Sequence, residues 1–333
     1  MANVTTSSHS SRSTVRCGIV LSAGNGTRLR EFVRQRRDDD LPKQYINFVG
    51  TRSMLQHTFD RAESVIPAQR LFVIVAKEHL KYHEVHRQLA LIPSQNLIIQ
   101  PLNKETTPGI LLPLLHIYKR YPDAIVALFP SDHFVLEEDR FMRHVDRAFQ
   151  LVESDPSRLV LLGLEPDGPD PEYGYIIPGK QLDESQNDSA RQVEMFVEKP
   201  SPKAAKTIIA LGALWNTMVM VSSCSTLLSV IQRAAPDIYH AFEPVLDVLG
   251  TADEQQVVEE IYQKLSSLNF SKHVLETLPV EYRRALLTLP VRGVTWSDWG
   301  TPENLSRMMD QLSALGYAQR QPVVSRENRL RVA

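Results

Sequence analysis

The chain is 333 residues long, with 37 Lys and Arg against 39 Asp and Glu, a formal net charge of −2. It has no basic excess to neutralise a phosphate backbone, which excludes nucleic acid as a bulk partner. No apolar run approaches the roughly 20 residues of a membrane span, and hydrophobic and charged fractions of 43% and 23% fit a globular protein of one large or two ordinary domains.

The Ser/Thr-rich start lacks the apolar core of a signal peptide and reads as a disordered tail over 1–15. Val- and Ile-rich runs at 16–21, 71–76, 97–99, 124–129 and 159–163 then alternate with amphipathic stretches at 53–65, 78–91, 106–121 and 138–152. Continuous apolar strands separated by helices predict an α/β fold: a Rossmann-like, mostly parallel twisted sheet with helices on both faces. Pro113 is expected to bend the helix it falls in. The second half is less regular. It offers an exposed loop at 181–190, a strand at 193–197, a helix at 202–211 and three helical stretches between 223 and 266. A strand at 292–296, a helix at 303–315 and a flexible tail at 319–333 complete the chain. The two cysteines, Cys17 and Cys224, lie in apolar segments and read as buried free thiols in a reducing cytoplasm.

The first strand empties into Ser22-Ala23-Gly24-Asn25-Gly26-Thr27-Arg28-Leu29, with Pro42-Lys43-Gln44 downstream. Backbone N–H groups in such a small-residue turn can face an anion, and Arg28 and Lys43 add two cations to hold a phosphate chain. No Gly-Lys-Ser/Thr closes the loop, and Leu29 stands where a dinucleotide fingerprint needs its third glycine. Asp132 and Asp298 each follow an apolar strand. A carboxylate at a strand's carboxyl end, facing a phosphate loop, is useful as a Mg²⁺ ligand, because magnesium takes one or two carboxylates and completes its shell with water and phosphate. Each could equally cap a local turn or helix. His133 has no second His or Cys at ligand spacing and reads as a local hydrogen-bonding residue.

In Glu198-Lys199-Pro200 a carboxylate and an ammonium end a strand, suited to sugar hydroxyls and a phosphate, or simply a solvated ion pair. Gly174, between Tyr173 and Tyr175, marks a close backbone approach. Trp215-Asn216 combines an apolar face with an amide, as a hexose site or a core pair would. The run Asp38-Asp39-Asp40 reads as solvated loop.

Together these motifs resemble the sugar-phosphate nucleotidyltransferase family, in its mannose-1-phosphate guanylyltransferase branch. The resemblance covers about residues 16–310 and runs in order through Leu21–Leu29, Pro42-Lys43-Gln44, Gln100-Pro101 to Thr106-Thr107-Pro108, Pro130-Ser131-Asp132-His133, Tyr173-Gly174-Tyr175-Ile176, Phe196–Pro200, Trp215-Asn216 and Trp296–Thr301. It implies a nucleotidyltransferase body at 16–318, with a nucleotide-binding half at 16–165 and a sugar-phosphate-binding half at 166–318. Ala23, Gly24, Gly26 and Thr27 would wrap the triphosphate, with Arg28, Lys43 and Lys199 as the catalytic cations. Asn103, Thr106, Thr107 and Pro108 would meet the nucleobase, and Asp132 and Asp298 would hold Mg²⁺. Gly174, Glu198, Lys199 and Asn216 would bind the sugar phosphate. The implied substrates are GTP, or another nucleoside triphosphate, and a sugar 1-phosphate, with a homo-oligomer left open. The family's Trp-Asn-Ser-Gly-Met-Phe is here Trp215-Asn216-Thr217-Met218-Val219-Met220, with methionine in place of glycine. That departure keeps two further readings in view: the same reaction on another sugar or base, and an inactive paralogue that binds a nucleotide sugar and regulates a partner.

Overall fold

The computed structural model describes residues 14–314 except 38, 183–189 and 283. Most of the loop expected at 181–190 and both tails therefore lie outside the described residues. A nine-stranded sheet organises the remainder, in the order β3-β2-β1-β4-β9-β6-β10-β8-β7. Its strands are β1 (Arg16–Ser22), β2 (Leu71–Ala76), β3 (Leu97–Gln100), β4 (Ile125–Pro130), β6 (Leu159–Leu164), β7 (Gly174–Gln181), β8 (Arg191–Glu198), β9 (Leu214–Ser223) and β10 (Leu286–Val291). A separate two-stranded ribbon pairs β5 (Phe134–Val135) with β11 (Trp296–Ser297).

The expectation of a mostly parallel sheet is met in the first half only. β3, β2, β1 and β4 are mutually parallel, and β6 and β10 form a second parallel pair. Between these blocks β9 runs antiparallel to both β4 and β6, and β7 and β8 are antiparallel to each other. The sheet is mixed because β9, where no strand was expected, inserts antiparallel between the two parallel blocks, and β8 runs antiparallel to both β10 and β7. The expected strand at 292–296 is displaced: the ladder occupies Leu286–Val291, and only Trp296 and Ser297 re-enter a pairing. Four helices rather than three lie between 223 and 266.

Strand alternation splits the core into two layers. Val73 and Val75 face one layer with Met54, Leu55 and Phe149, while Phe72 and Ile74 face the other with Ile110, Leu114 and Leu227. Helices thus cover both faces. Helix Met54–Glu63 begins at a reciprocal capping box between Ser53 and Gln56. Helix Pro202–Ala210 combines a Ser201 cap with proline in its first turn, where a missing N–H costs nothing. Helix Thr106–Arg120 runs through Pro113 without a break. Cys17 and Cys224 are buried and free. Among the described residues no helix is long and apolar enough to cross a membrane.

Candidate active site

The loop after β1 is held from beneath by the turn Lys43–Tyr45. The Gln44 amide donates to the carbonyls of Ser22 and Gly24 at 3.0 and 2.9 Å, and the Tyr45 hydroxyl donates to Ser22 O at 3.3 Å. Gly26 lies at φ 58°, a left-handed conformation glycine adopts freely, and the Lys43 backbone passes just beyond it. The Pro-Lys-Gln motif therefore shapes the loop as well as supplying a cation.

Lys43 is buried, and its three N–H groups are matched by three acceptors. Nζ lies 2.7 Å from the Asp298 carbonyl, 3.3 Å from the Trp299 carbonyl and 3.1 Å from Asp132 Oδ2. The β5–β11 ribbon makes this meeting possible: the Ser297–Phe134 rung brings the Asp298 backbone to the segment that carries Asp132 and His133. Burial alone would raise the Asp132 carboxyl. The Lys43 ammonium and His133 outweigh it and hold the group below the usual carboxylate range. The Asp132 side chain is nevertheless 32% exposed, open to a ligand. His133 stacks edge-on against Trp296, with Nε2 3.6 Å from Asp132 Oδ1.

Asp298 does not cap the following helix, since Thr301 Oγ1 accepts from Asn304 N there. Its Oδ1 accepts from Tyr173 OH at 3.1 Å and Gly300 N at 2.8 Å, leaving Oδ2, 4.0 Å from Arg28. Among the described residues no trio of His, Cys, Asp and Glu is placed to hold a metal alone. Asp132 Oδ1 and Asp298 Oδ2 are carboxylate oxygens, the donor type magnesium takes alongside water and phosphate.

A second cluster forms where β7 pairs with β8. Gly174 lies opposite Glu198, and a Cβ there would stand 2.6 Å from Glu198 Oε2, so only glycine leaves that carboxylate in place. Burial lifts Glu198 to about 7; Glu276 and Glu172 add to the rise, while Lys199 and Lys272 oppose it. An unfolded glutamate titrates near 4.5, so between about pH 4.5 and 7 the native state keeps a proton that the unfolded state has lost. This stabilisation is complete below that window and is lost as pH rises through it. Melting temperatures across the window should show a decline that Glu198→Gln removes. An unchanged slope in that variant would place the titration elsewhere.

Glu172, absent from the sequence expectations, links this cluster to the first loop. Its Oε2 accepts from Arg28 at 2.6 Å and from Lys199 Nζ at 3.5 Å. One carboxylate thus lies between two half-exposed cations. Asn216 is buried, and its Oδ1 is engaged locally, accepting from Met218 N at 3.1 Å. Trp215 is buried against Tyr173, ring centroids 4.7 Å apart, so its apolar face belongs to the core.

A cleft of about 250 Å³, open to solvent, lies beside the first loop and Asp132; Gly174, Glu198, Lys199 and Asn216 do not line it. Ala23, Gly24, Asn103, Thr106 and Asp132 line it, together with Met218. Gln44, Gln100 and Glu105 also line it. Thr107 is fully buried, and Pro108 lies inside the helix with its carbonyl facing Tyr262 OH, so neither reaches the cleft. Gly26 and Thr27 support the loop rather than line the cleft. Among the described residues, four non-glycine residues have positive φ: Glu105, Lys199, Met218 and Trp299. All four belong to this region, where local strain is retained when the surrounding structure demands it.

A strand-end loop, a lysine tying the Asp132 carboxylate to the Asp298 backbone, and a cleft beyond the parallel strands are the equipment of a nucleotide-handling α/β protein. The chain belongs to the nucleotidyl transferase family, whose model matches residues 17–314. It is 27% identical over 266 residues to an Escherichia coli mannose-1-phosphate guanylyltransferase, covering 79% of this chain and 53% of that one. It is 32% identical over 226 residues to the Xanthomonas campestris xanthan biosynthesis protein XanB, covering 67% and 45%. The chain thus spans about half the length of these curated relatives. Its fold is shared with the mannose-1-phosphate geranyltransferase of Thermus thermophilus, at a TM-score of 0.71 and 24% identity over 86% of this chain and 76% of that one.

Proposed function

We propose that the chain joins a sugar 1-phosphate to a nucleoside triphosphate, giving a nucleoside-diphosphate sugar and pyrophosphate. Mannose 1-phosphate and GTP are the leading pair, because relatives across two thirds or more of the chain are named mannose-1-phosphate guanylyltransferases. The observation that carries the reading is the convergence of Asp132, Lys43 and the Asp298 loop at the mouth of the Gly24–Gly26 turn.

The sugar phosphate is an anionic nucleophile at neutral pH and needs no general base. Its oxygen attacks the α-phosphorus, a new phosphoanhydride bond forms, and the α–β bond breaks with pyrophosphate leaving. The difficulty is the approach of two anions. Arg28 and Lys199 would exchange Glu172 for substrate phosphate, bringing two cations to the reacting groups. Lys43, already saturated by the chain, positions Asp132 and contributes its field. Glu198 and the Gly174 backbone would orient the sugar. Mg²⁺, held by Asp132 and Asp298, would supply charge neutralisation and a template for the phosphates.

The test is pyrophosphate release with Mg²⁺, crossing GTP, ATP, UTP, CTP and dTTP with mannose-, glucose-, galactose- and N-acetylglucosamine 1-phosphate. A dominant GTP and mannose 1-phosphate signal supports the specific reading. Another dominant pair keeps the reaction and reassigns its substrates. Silence from folded protein that binds a nucleotide sugar favours the regulatory paralogue.

A further inference from the structure

We propose that Met218 is a specificity-determining residue, its side chain limiting the bulk of the sugar ring admitted between the nucleotide cleft and the Gly174–Asn216 patch. The inference rests on the activity proposed above. The β6–β9 ladder pairs Leu161 with Met220 but Gly163 with Asn216, so residues 217–219 bulge opposite Leu162. Met218 lies in that bulge at φ 56°. A left-handed conformation is strained for a non-glycine residue, so this side chain is held where glycine would sit without strain. Two contacts hold it: its N–H donates to Asn216 Oδ1 at 3.1 Å, and its Sδ accepts from Ser271 Oγ at 3.1 Å.

Its location gives those contacts a consequence. Met218 lines the cleft with Ala23, Thr106 and Asp132. The rung Tyr175–Trp215 also brings Gly174 and Asn216 to the same end of the β7–β9 pairing. A substrate reaching from the cleft toward the Gly174–Glu198 pair passes the Met218 side chain. A thioether is normally adaptable, but the Ser271 contact pins this one at its sulfur. The wall therefore resists bulkier rings more than a free methionine would.

Two variants separate side-chain bulk from backbone strain. Met218→Gly removes both and is expected to raise the melting temperature, whereas Met218→Ala removes bulk and keeps the strained φ. With the best nucleoside triphosphate, kcat/KM for N-acetylglucosamine 1-phosphate relative to mannose 1-phosphate should rise about tenfold or more in both variants, the scale of a few methylenes in a pocket. Calorimetric titration of the same two sugar phosphates should show the same direction without turnover. If the ratio stays at the wild-type value in both variants while the unsubstituted chain turns over, the inference is overturned and the proposed activity stands. If the unsubstituted chain neither releases pyrophosphate nor binds either sugar phosphate, both fall together.

Discussion

Asp132→Ala should reduce Mg²⁺-dependent pyrophosphate release by about a thousandfold or more, the scale on which loss of a preorganised charge in a water-poor site is felt. The fold should survive. Asp132 is partly exposed, and its removal leaves Lys43 with the carbonyls of Asp298 and Trp299. One of three acceptors is lost and the buried ammonium loses its counter-charge, a cost of about 3 kcal/mol. Asp132→Asn keeps the volume and removes the charge, and should be nearly as inactive. Steady-state rates with circular dichroism and urea denaturation would check both effects. Magnesium-dependent turnover within tenfold of wild type in either variant would remove Asp132 from the metal site.

Lys43→Ala should lose activity and stability together. It deletes a buried ammonium and leaves Asp132 Oδ2 and two backbone carbonyls without their donor. Breaking one side of a buried ion pair costs about 3–5 kcal/mol; the exposure of Asp132 places the expected loss near the lower end. The Asp298 loop should loosen as well, because Lys43 is its tie to the first turn. The double variant with Asp132→Ala gives the sharper measurement. Once the carboxylate is gone, removing Lys43 strands less, so the combined loss should fall short of the sum by about 1 kcal/mol or more. Strict additivity in urea denaturation would show that the two residues do not act as a pair.

The two variants probe opposite sides of one arrangement, and they separate its chemical from its architectural role. Asp132 faces the cleft, and its rate loss should exceed what its stability cost explains. Lys43 faces the protein and should report in both rate and stability. The sequence reading placed both residues at the site but treated Lys43 only as a phosphate-neutralising cation. Its three protein acceptors became visible only with the fold, because two of them are backbone carbonyls 255 and 256 positions away. No side-chain pattern announces a carbonyl acceptor.

The strands of the first half and the helices between them were legible because their periodicity is local: β2 and β4 are buried at every position and read as unbroken apolar runs. β9 was missed because Asn216 and Thr217 interrupt its apolar run and Met218 bends it through a bulge. β10 was displaced because its apolar run, Leu286–Val291, lies just upstream of the expected strand at 292–296. Glu172 was missed for a different reason. A single glutamate before Tyr-Gly-Tyr carries no spacing signal, and its meaning comes only from Arg28 and Lys199 reaching it from elsewhere in the chain.

By itself the amino-acid sequence determined the α/β class, the first phosphate-facing turn and the residue types of the site, since each is written in short-range order: apolar period, small-residue turn, motif sequence. Tertiary structure alone decided which of those residues meet. Lys43 ties the Asp298 backbone to the Asp132 carboxylate, the Gly174–Glu198 rung places the carboxylate against a glycine, and burial lifts Glu198 to about 7 while Lys43 keeps Asp132 ionised. Pairing and desolvation are non-local quantities, set by what the rest of the chain packs around a residue.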